Sequence, residues 1–192
     1  MLLYIHGFNS SPQSDKARIT LAYCQEHYPE LLVHQPQLPS HPVAALAMLC
    51  DITEQALAKG EPLYYIGSSL GGFFATILAE RYGGVAALVN PAIEPHQLMT
   101  SLLGWQTNPY TGERYQVTLE HQTQLAAMAV KVIAHPDRFL VLLQTGDEVL
   151  DYREAVAYYH CCQLRVQQGG DHAFTGYQEQ LDGIFQFFAL TT

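Results

Sequence analysis

The chain has 192 residues, a length typical of one domain, and folding at this size buries roughly 70% of the surface of the unfolded chain. Its formal net charge of −9 argues against nucleic acid as a partner, because phosphates require a basic surface. Hydrophobic residues make up 48% of the chain, but no apolar run approaches the ~20 residues of a membrane-spanning helix, so we expect a single domain over 1–192 and no membrane span.

The cysteine pattern indicates the compartment. The four cysteines show no metal-ligand spacing, and the vicinal pair is poorly placed for an ordinary disulfide; they are Cys24, Cys50, Cys161 and Cys162. We interpret them as core thiols in a reducing environment. The first apolar run leads directly into the loop at His6, which carries an expected oxyanion donor. We therefore expect no cleavable leader and a cytoplasmic location.

Strand-like and helix-like segments alternate along the chain, which is typical of a parallel sheet with helices on both faces. The predicted strands are Leu2 to His6, Leu31 to Gln35, Leu63 to Gly67, Val85 to Asn90, Phe139 to Thr145 and Leu164 to Gln168. The helices predicted around them cover 15–27, 42–59, 72–80, 152–159 and 176–190. The pattern predicts a three-layer α/β fold with a six-stranded, mostly parallel sheet.

A His-Gly pair, His6 and Gly7, follows the first predicted strand. A glycine at this place lets the loop fold back, and the next backbone N–H, that of Phe8, can stabilise the oxyanion of an acyl-transfer reaction. We expect His6 to brace the loop through a hydrogen bond. The alternative is a plain strand-to-loop turn. We expect the nearby basic residues, Lys16 and Arg18, on a solvated helix face, with contact to an anionic part of a substrate as the alternative.

The segment from Gly67 to Gly71 reads Gly-Ser-Ser-Leu-Gly and joins the third predicted strand to a helix. A nucleophilic serine on such a strained turn needs glycine two residues before and after it, because side chains there would collide. Ser69 is therefore the candidate nucleophile. The backbone N–H of Leu70, at the start of the helix, is the second expected oxyanion donor. The alternative is a glycine-rich turn without chemistry.

The connection from 91 to 138 is longer than a strand-to-helix connection requires. It contains Trp105, a turn-rich centre at 108–112 and helical stretches near 97–103 and 119–129. We expect a cap-like helical insertion that overhangs Ser69. Its aromatic residues either line an acyl pocket or pack the cap onto the body.

An acid and a histidine follow the serine in the order that this chemistry requires. Asp147 follows the strand predicted at 139–145, and His172 lies in a glycine-rich segment after the last strand. The carboxyl ends of parallel strands meet at one edge of the sheet, where open α/β sheets place their ligands. We therefore expect Ser69, Asp147 and His172 to form a catalytic triad.

Three other carboxylates compete for the role of the acid: Glu148, Asp151 and Asp171. Asp171 is adjacent to His172, so its side chain is expected to diverge from the imidazole. Asp151 falls in the first turn of the next predicted helix, where an acid favourably meets the helix dipole and caps the helix. These arguments favour Asp147.

Six motifs together resemble the small bacterial esterases called YqiA, within the α/β-hydrolase superfamily, along essentially the whole chain. They are His-Gly-Phe-Asn-Ser-Ser-Pro (6–12), Gly-Ser-Ser-Leu-Gly-Gly (67–72), Asn-Pro-Ala (90–92), Asn-Pro-Tyr-Thr-Gly (108–112), Thr-Gly-Asp-Glu-Val-Leu-Asp-Tyr-Arg (145–153) and Gly-Asp-His-Ala-Phe-Thr-Gly (170–176). The resemblance implies a compact α/β-hydrolase fold that lacks the first two strands of the larger fold. It also implies esterase activity on short acyl esters, with acyl-CoA thioesters as a further substrate class, and a triad at Ser69, Asp147 and His172.

The function expected from these residues is two-step acyl transfer by an activated serine. The partner is a small-molecule acyl ester or thioester, and the chemistry needs no metal or organic cofactor. A thioesterase or a peptidase would use the same residues, because leaving-group preference depends on pocket shape. The alternative from a different class is a non-catalytic binding module built on the same fold.

Overall fold

The computed structural model describes residues 1–190. Within this range the chain forms eight strands, which are β1 (Leu2–Ile5), β2 (Val33–His34), β3 (Tyr64–Ser68), β4 (Val85–Val89), β5 (Gly104–Thr107), β6 (Arg114–Val117), β7 (Phe139–Gln144) and β8 (Gln163–Gln167).

The α-helices in the same range are α1 (Asp15–His27), α2 (Pro42–Ala58), α3 (Leu70–Tyr82), α4 (Pro95–Leu98), α5 (Leu119–Met128), α6 (Tyr152–Tyr158) and α7 (Leu181–Phe187). Short 3₁₀ turns cover Met99–Leu102, Pro136–Arg138 and Tyr177–Gln180. Among these described residues, no helix is both long enough and apolar enough to cross a bilayer.

Six of the strands described in residues 1–190 form one sheet in the order β2-β1-β3-β4-β7-β8, and every pairing is parallel. The expected six-stranded α/β architecture is therefore confirmed. The chain passes from β1 outward to β2 and then returns to β3 on the other side of β1. This reversal makes the carboxyl ends of β1 and β3 the place where an open α/β sheet binds ligands.

Successive residues of β1 point to opposite faces of the sheet, and both faces are buried. Leu3 and Ile5 belong to the core under α2, α3 and α6. Leu2 and Tyr4 belong to the core under α1 and α7. Strands covered on both sides must be apolar at every position, which explains the continuous apolar run at 139–143.

The turn between β3 and α3 packs directly on the end of β1. A Cβ at Gly71 would overlap the carbonyl oxygen of Ile5, and a Cβ at Gly67 would overlap the carbonyl oxygen of Gly71. Backbone atoms cannot swing aside as a flexible side chain can, so these two positions need glycine. The spacing of glycines around Ser69 therefore has the steric cause expected from the sequence.

The long connection between β4 and β7 contains more than helices. It begins with α4 and the 3₁₀ turn, forms an antiparallel hairpin of β5 and β6 (residues 104–117, called the hairpin below), and continues into α5. The strands of the hairpin have only four residues each: β5 reads Gly-Trp-Gln-Thr and β6 reads Arg-Tyr-Gln-Val, an alternation too short to identify a strand in a sequence. The hairpin was therefore missed in the sequence analysis.

Two predicted elements are shorter than expected. The strand predicted at 31–35 is reduced to Val33–His34, because Pro36 has no N–H to continue the ladder. The last helix, predicted over 176–190, starts as the 3₁₀ turn Tyr177–Gln180, and its α-helical part is only Leu181–Phe187.

We expect Gly71→Ala to lower the free energy of unfolding by about 3 kcal/mol or more, because the β1 backbone would have to move. Thermal denaturation should show a fall in Tm of roughly 6 °C or more. Gly183→Ala, inside α7, is the control, since the three atoms nearest to its Cβ would all belong to the flexible guanidinium end of Arg165. Equal melting temperatures for the two variants would contradict this account of the turn.

Candidate active site

Ser69 lies on a strained turn at the carboxyl end of β3. Its backbone has φ 56° and ψ −120°, a conformation that a residue other than glycine adopts only when the surroundings hold it there. Its N–H donates to the carbonyl of Val89 at 3.0 Å, and its carbonyl accepts from the N–H of Gly72 at 2.9 Å. These two hydrogen bonds hold the strained backbone in place, and the hydroxyl lies at the start of α3.

The imidazole of His172 joins Ser69 to Asp147. Its Nε2 lies 3.1 Å from Ser69 Oγ, and its Nδ1 lies 2.9 and 3.0 Å from the two carboxylate oxygens of Asp147. A carboxylate only accepts hydrogen bonds, so Nδ1 carries the proton of the neutral ring. Nε2 is then free to accept the hydroxyl proton of Ser69, which is the arrangement needed to activate a serine.

Asp147 is held as an anion beneath the histidine. Its side chain is 2% exposed, and Oδ1 accepts from the N–H groups of Val149 at 2.9 Å and Leu150 at 2.8 Å. Burial alone would raise the pKa of Asp147, but the hydrogen bonds from His172 and the two amides outweigh it and lower the pKa below its usual value. The carboxylate is therefore ionised at neutral pH.

The three alternative acids each have another partner. Glu148 accepts from the backbone N–H of His172 at 2.9 Å, and Asp171 accepts from the hydroxyl of Thr175 at 3.0 Å. Asp151 caps α6 and pairs with the guanidinium of Arg153 at 2.8 Å. Within the described chain, Asp147 is the carboxylate hydrogen-bonded to the ring of His172.

Two buried amides to which the sequence analysis assigned no role hold the loop that carries His172. The Nδ2 of Asn90 donates to the carbonyls of Asp171 at 3.0 Å and His172 at 3.3 Å. The side chain of Gln144 accepts from the N–H of Asp171 at 3.1 Å and donates to the carbonyl of Thr175 at 2.7 Å. Polar residues at the ends of the apolar strands β4 and β7 were the signal that could have identified them. Their partners lie far away in the sequence, so their role was not predicted.

The His6 loop (residues 6–11) lies against Ser69. A Cβ at Gly7 would sit 3.2 Å from Ser69 Cβ, so the loop backbone passes Ser69 closely. His6 braces the loop: its Nδ1 donates to the Gly7 carbonyl at 2.9 Å, and its Nε2 accepts from the N–H of Leu38 at 3.1 Å. Burial lowers the pKa of His6, which keeps its ring neutral for these two contacts.

Neither the N–H of Phe8 nor that of Leu70 donates a hydrogen bond to another described residue. Leu70 is the first residue of α3, whose N–H groups have no partner within the helix. Both amides flank Ser69, one from each loop. They therefore remain candidate oxyanion donors.

The cleft has two unlike sides that meet at Ser69. One is an apolar cavity of about 360 Å³ under the insertion, lined by Pro95, Leu98, Met99, Leu102 and Val149 beside Ser69 and His172. The other is a polar groove of about 700 Å³, where four carboxylates and one ammonium are the charged side chains among the described residues that line it: Asp15, Glu148, Asp171, Glu179 and Lys16.

Lys16 differs from the expectation of a solvated helix face. It lies in the polar groove, and its Nζ donates to the carbonyl of Ala173 at 2.7 Å, next to His172. Burial lowers the pKa of Lys16, while the charges of Asp171, Asp15 and Asp147 act in the opposite direction. The N-terminus of α1 therefore contributes to the cleft.

The architecture is that of an α/β hydrolase. The chain superposes with a TM-score of 0.69 on mouse alpha/beta hydrolase domain-containing protein 10, at 14% identity over 96% of this chain and 87% of that one. It superposes equally well, with a TM-score of 0.69, on the monoacylglycerol lipase of Paleococcus ferrophilus, at 13% identity over 98% and 93% of the two chains. At these identities the likeness shows the fold alone.

Within that fold class, the chain belongs to the UPF0227 family, described as an uncharacterised protein family, whose model matches residues 1–189. A UPF0227 protein of Klebsiella pneumoniae is 24% identical to this chain, and the alignment covers 99% of each protein. The resemblance to the YqiA-like group of the α/β-hydrolase superfamily is confirmed by these matches.

Proposed function

We propose that this protein is a serine hydrolase that cleaves carboxylic esters through an acyl-enzyme. The observation that carries the proposal is the imidazole of His172, placed 3.1 Å from Ser69 Oγ and 2.9 Å from the carboxylate of Asp147. A histidine in contact with both a serine on a strained turn and a buried carboxylate has the geometry of a general base with its orienting acid. The lipase among the proteins of similar fold agrees with this proposal.

In the first step, Nε2 of His172 takes the proton of Ser69 while Oγ attacks the ester carbonyl. The charge that develops on the carbonyl oxygen is stabilised by the N–H groups of Phe8 and Leu70, each worth about 3 kcal/mol in comparable sites. His172 then gives its proton to the leaving alcohol, which departs and leaves the acyl group on Ser69.

In the second step, His172 takes a proton from a water that attacks the acyl carbon, and the same two amides stabilise the oxyanion again. The bond between the acyl carbon and Ser69 Oγ then breaks, His172 returns the proton to Oγ, and the carboxylic acid leaves. Asp147 remains an anion throughout and stabilises the imidazolium that forms in each half-reaction. Every proton and charge of the cycle is handled by groups of the chain, so the proposed reaction uses no metal or organic cofactor.

The two sides of the cleft suggest how the substrate lies. The apolar cavity under α4 and the 3₁₀ turn suits the acyl chain, because Leu98, Met99 and Leu102 present only apolar surface to it. The polar groove is then left for the alcohol. Its carboxylates favour an uncharged or cationic alcohol over the polyanionic leaving group of an acyl-CoA thioester.

We expect a fluorophosphonate probe to label the protein at Ser69, because the probe reacts with serines activated by a neighbouring base. Peptide mass mapping locates the adduct, and Ser69→Ala removes it together with ester hydrolysis. Ser68→Ala is the matched control and retains labelling. A folded protein that takes no label would contradict the proposal and favour the non-catalytic binding module.

Asp147→Asn should lower kcat by about 10⁴-fold, because an amide cannot hold His172 in the required tautomer and leaves the imidazolium unstabilised. Asp151→Asn, which removes the partner of Arg153 on the surface, should leave kcat within about twofold of the wild type. Steady-state kinetics on a short acyl ester checks both. A larger loss of kcat in Asp151→Asn than in Asp147→Asn would assign the role of the acid to Asp151.

We expect kcat/KM for a butyrate ester of an uncharged alcohol to exceed that for butyryl-CoA by about tenfold or more, because the groove repels polyanions. Glu179→Lys should raise the acyl-CoA value and leave the uncharged ester unaffected. Glu26→Lys makes the same change in net charge at the far end of α1, about 16 Å from Asp15, and is the control. A wild-type preference for butyryl-CoA would overturn the assignment of the groove.

A further inference from the structure

The hairpin is hydrogen-bonded to the His6 loop and does not lie over the cleft as a free flap. The hydroxyl of Tyr115 donates to Asn9 Oδ1 at 2.7 Å, and Asn9 Nδ2 donates to Gln106 Oε1 at 3.5 Å. A third bond runs from Asn108 Nδ2 to the carbonyl of Ser10 at 3.0 Å. The hairpin thus contacts two consecutive residues of the loop, immediately after Phe8.

The backbone of Asn9 turns the loop just after Phe8. Its φ is 50°, in the left-handed region that side chains other than glycine, asparagine and aspartate rarely enter. The peptide bond that carries the N–H of Phe8 is separated from Asn9 by Phe8 alone, so a shift of the Asn9 backbone is passed through Phe8 to that N–H. Both polar ends of the Asn9 amide are bound to the hairpin, which fixes its orientation.

Tyr115 combines this hydrogen bond with packing on Phe8 itself. The two rings meet edge to face, with centroids 6.2 Å apart and planes at 72°. Burial, and then the charge of Glu113, raise the pKa of Tyr115 to about 12, so its hydroxyl keeps the proton that it donates to Asn9. One side chain of the hairpin therefore contacts both Phe8, whose N–H is the proposed oxyanion donor, and the residue that follows it.

We propose that the hairpin is a brace that holds the Phe8 N–H in the oxyanion hole, and that Tyr115 is its positioning residue. The inference rests on the proposed function, in which that N–H stabilises the transition state. A displaced donor weakens an interaction that forms only in the transition state, whereas the substrate in its ground state is bound mainly by the cavity. The brace should therefore act on kcat and leave KM almost unchanged.

The first test is Tyr115→Phe, which removes the hydroxyl but keeps the ring on Phe8. We expect kcat for a short acyl ester to fall about tenfold with KM within about twofold of the wild type. Affinity for an alkyl boronic acid, whose serine adduct is tetrahedral, should fall by the same factor as kcat. Tyr23→Phe is the matched control: it removes a hydroxyl bonded to Asp182 at 2.6 Å, away from the cleft, and should change neither quantity.

A double-mutant cycle separates the hydrogen bond from a general loss of structure. Asn9→Gly preserves the left-handed backbone but removes the acceptor of Tyr115. In the Asn9→Gly background, Tyr115→Phe should have no further effect on kcat, because the bond is already absent. A full tenfold loss in that background would overturn the role of the Tyr115 to Asn9 bond.

Hydrogen exchange on peptides covering 6–14 tests the brace independently of activity. Tyr115→Phe should accelerate exchange several-fold in this segment and leave 169–176 unchanged. If the wild type shows no Ser69-dependent hydrolysis, the proposed function fails and the exchange result alone decides whether the hairpin holds the loop. Unchanged exchange overturns the brace, and faster exchange with an unchanged kcat overturns its positioning role.

Discussion

The close approach between the turn at Ser69 and the end of β1 is the contact on which the rest of the cleft depends. It requires glycine at Gly71, because any Cβ there would meet the carbonyl of Ile5. The approach brings the first turn of α3 against the His6 loop, so that Ser69 lies beside Gly7. β3 pairs in parallel with both β1 and β4, so the turn at Ser69 is held between the ends of these neighbouring strands. This support lets the strained backbone of Ser69 persist.

The histidine is placed by a different kind of constraint. Its loop is not part of the sheet ladder, and its carbonyls and N–H groups are bound by the buried amides of Asn90 and Gln144. These side chains extend the ends of β4 and β7 into the loop, so the ring of His172 is positioned by hydrogen bonds that begin in the core. The serine thus depends on backbone packing, and the histidine depends on side-chain hydrogen bonding.

The insertion between β4 and β7 contributes both to the apolar cavity beside Ser69 and to the support of the His6 loop. Its first part, α4 and the 3₁₀ turn, lines the apolar cavity beside Ser69. Its hairpin is bound to the His6 loop through Tyr115 and Asn108. A single segment therefore both lines the apolar cavity and holds the loop that carries the proposed oxyanion donor.

Much of the fold and of the candidate site could be predicted because the signals were local. Apolar runs gave the buried strands, and the glycines around Ser69 marked the turn, since each depends on neighbours within a few residues. The hairpin lacked a signal of this kind: its strands are held by Tyr115 on Phe8 and by bonds to the His6 loop, contacts that no short segment displays. Lys16 was misplaced for the same reason, because its partner, Ala173, is 157 positions away.

The sequence by itself determined the order along the chain of the six strands of the parallel sheet, the need for glycine on both sides of Ser69, and the set of chemical groups available at the strand ends. Only the tertiary structure decided which carboxylate contacts His172, how Asn90 and Gln144 hold its loop, and how the cleft divides into an apolar and a polar side. The physical reason is distance along the chain. Ser69 and His172 are 103 positions apart, and a hydrogen bond of 3.1 Å between them exists only once the sheet has brought the two loops to the same edge.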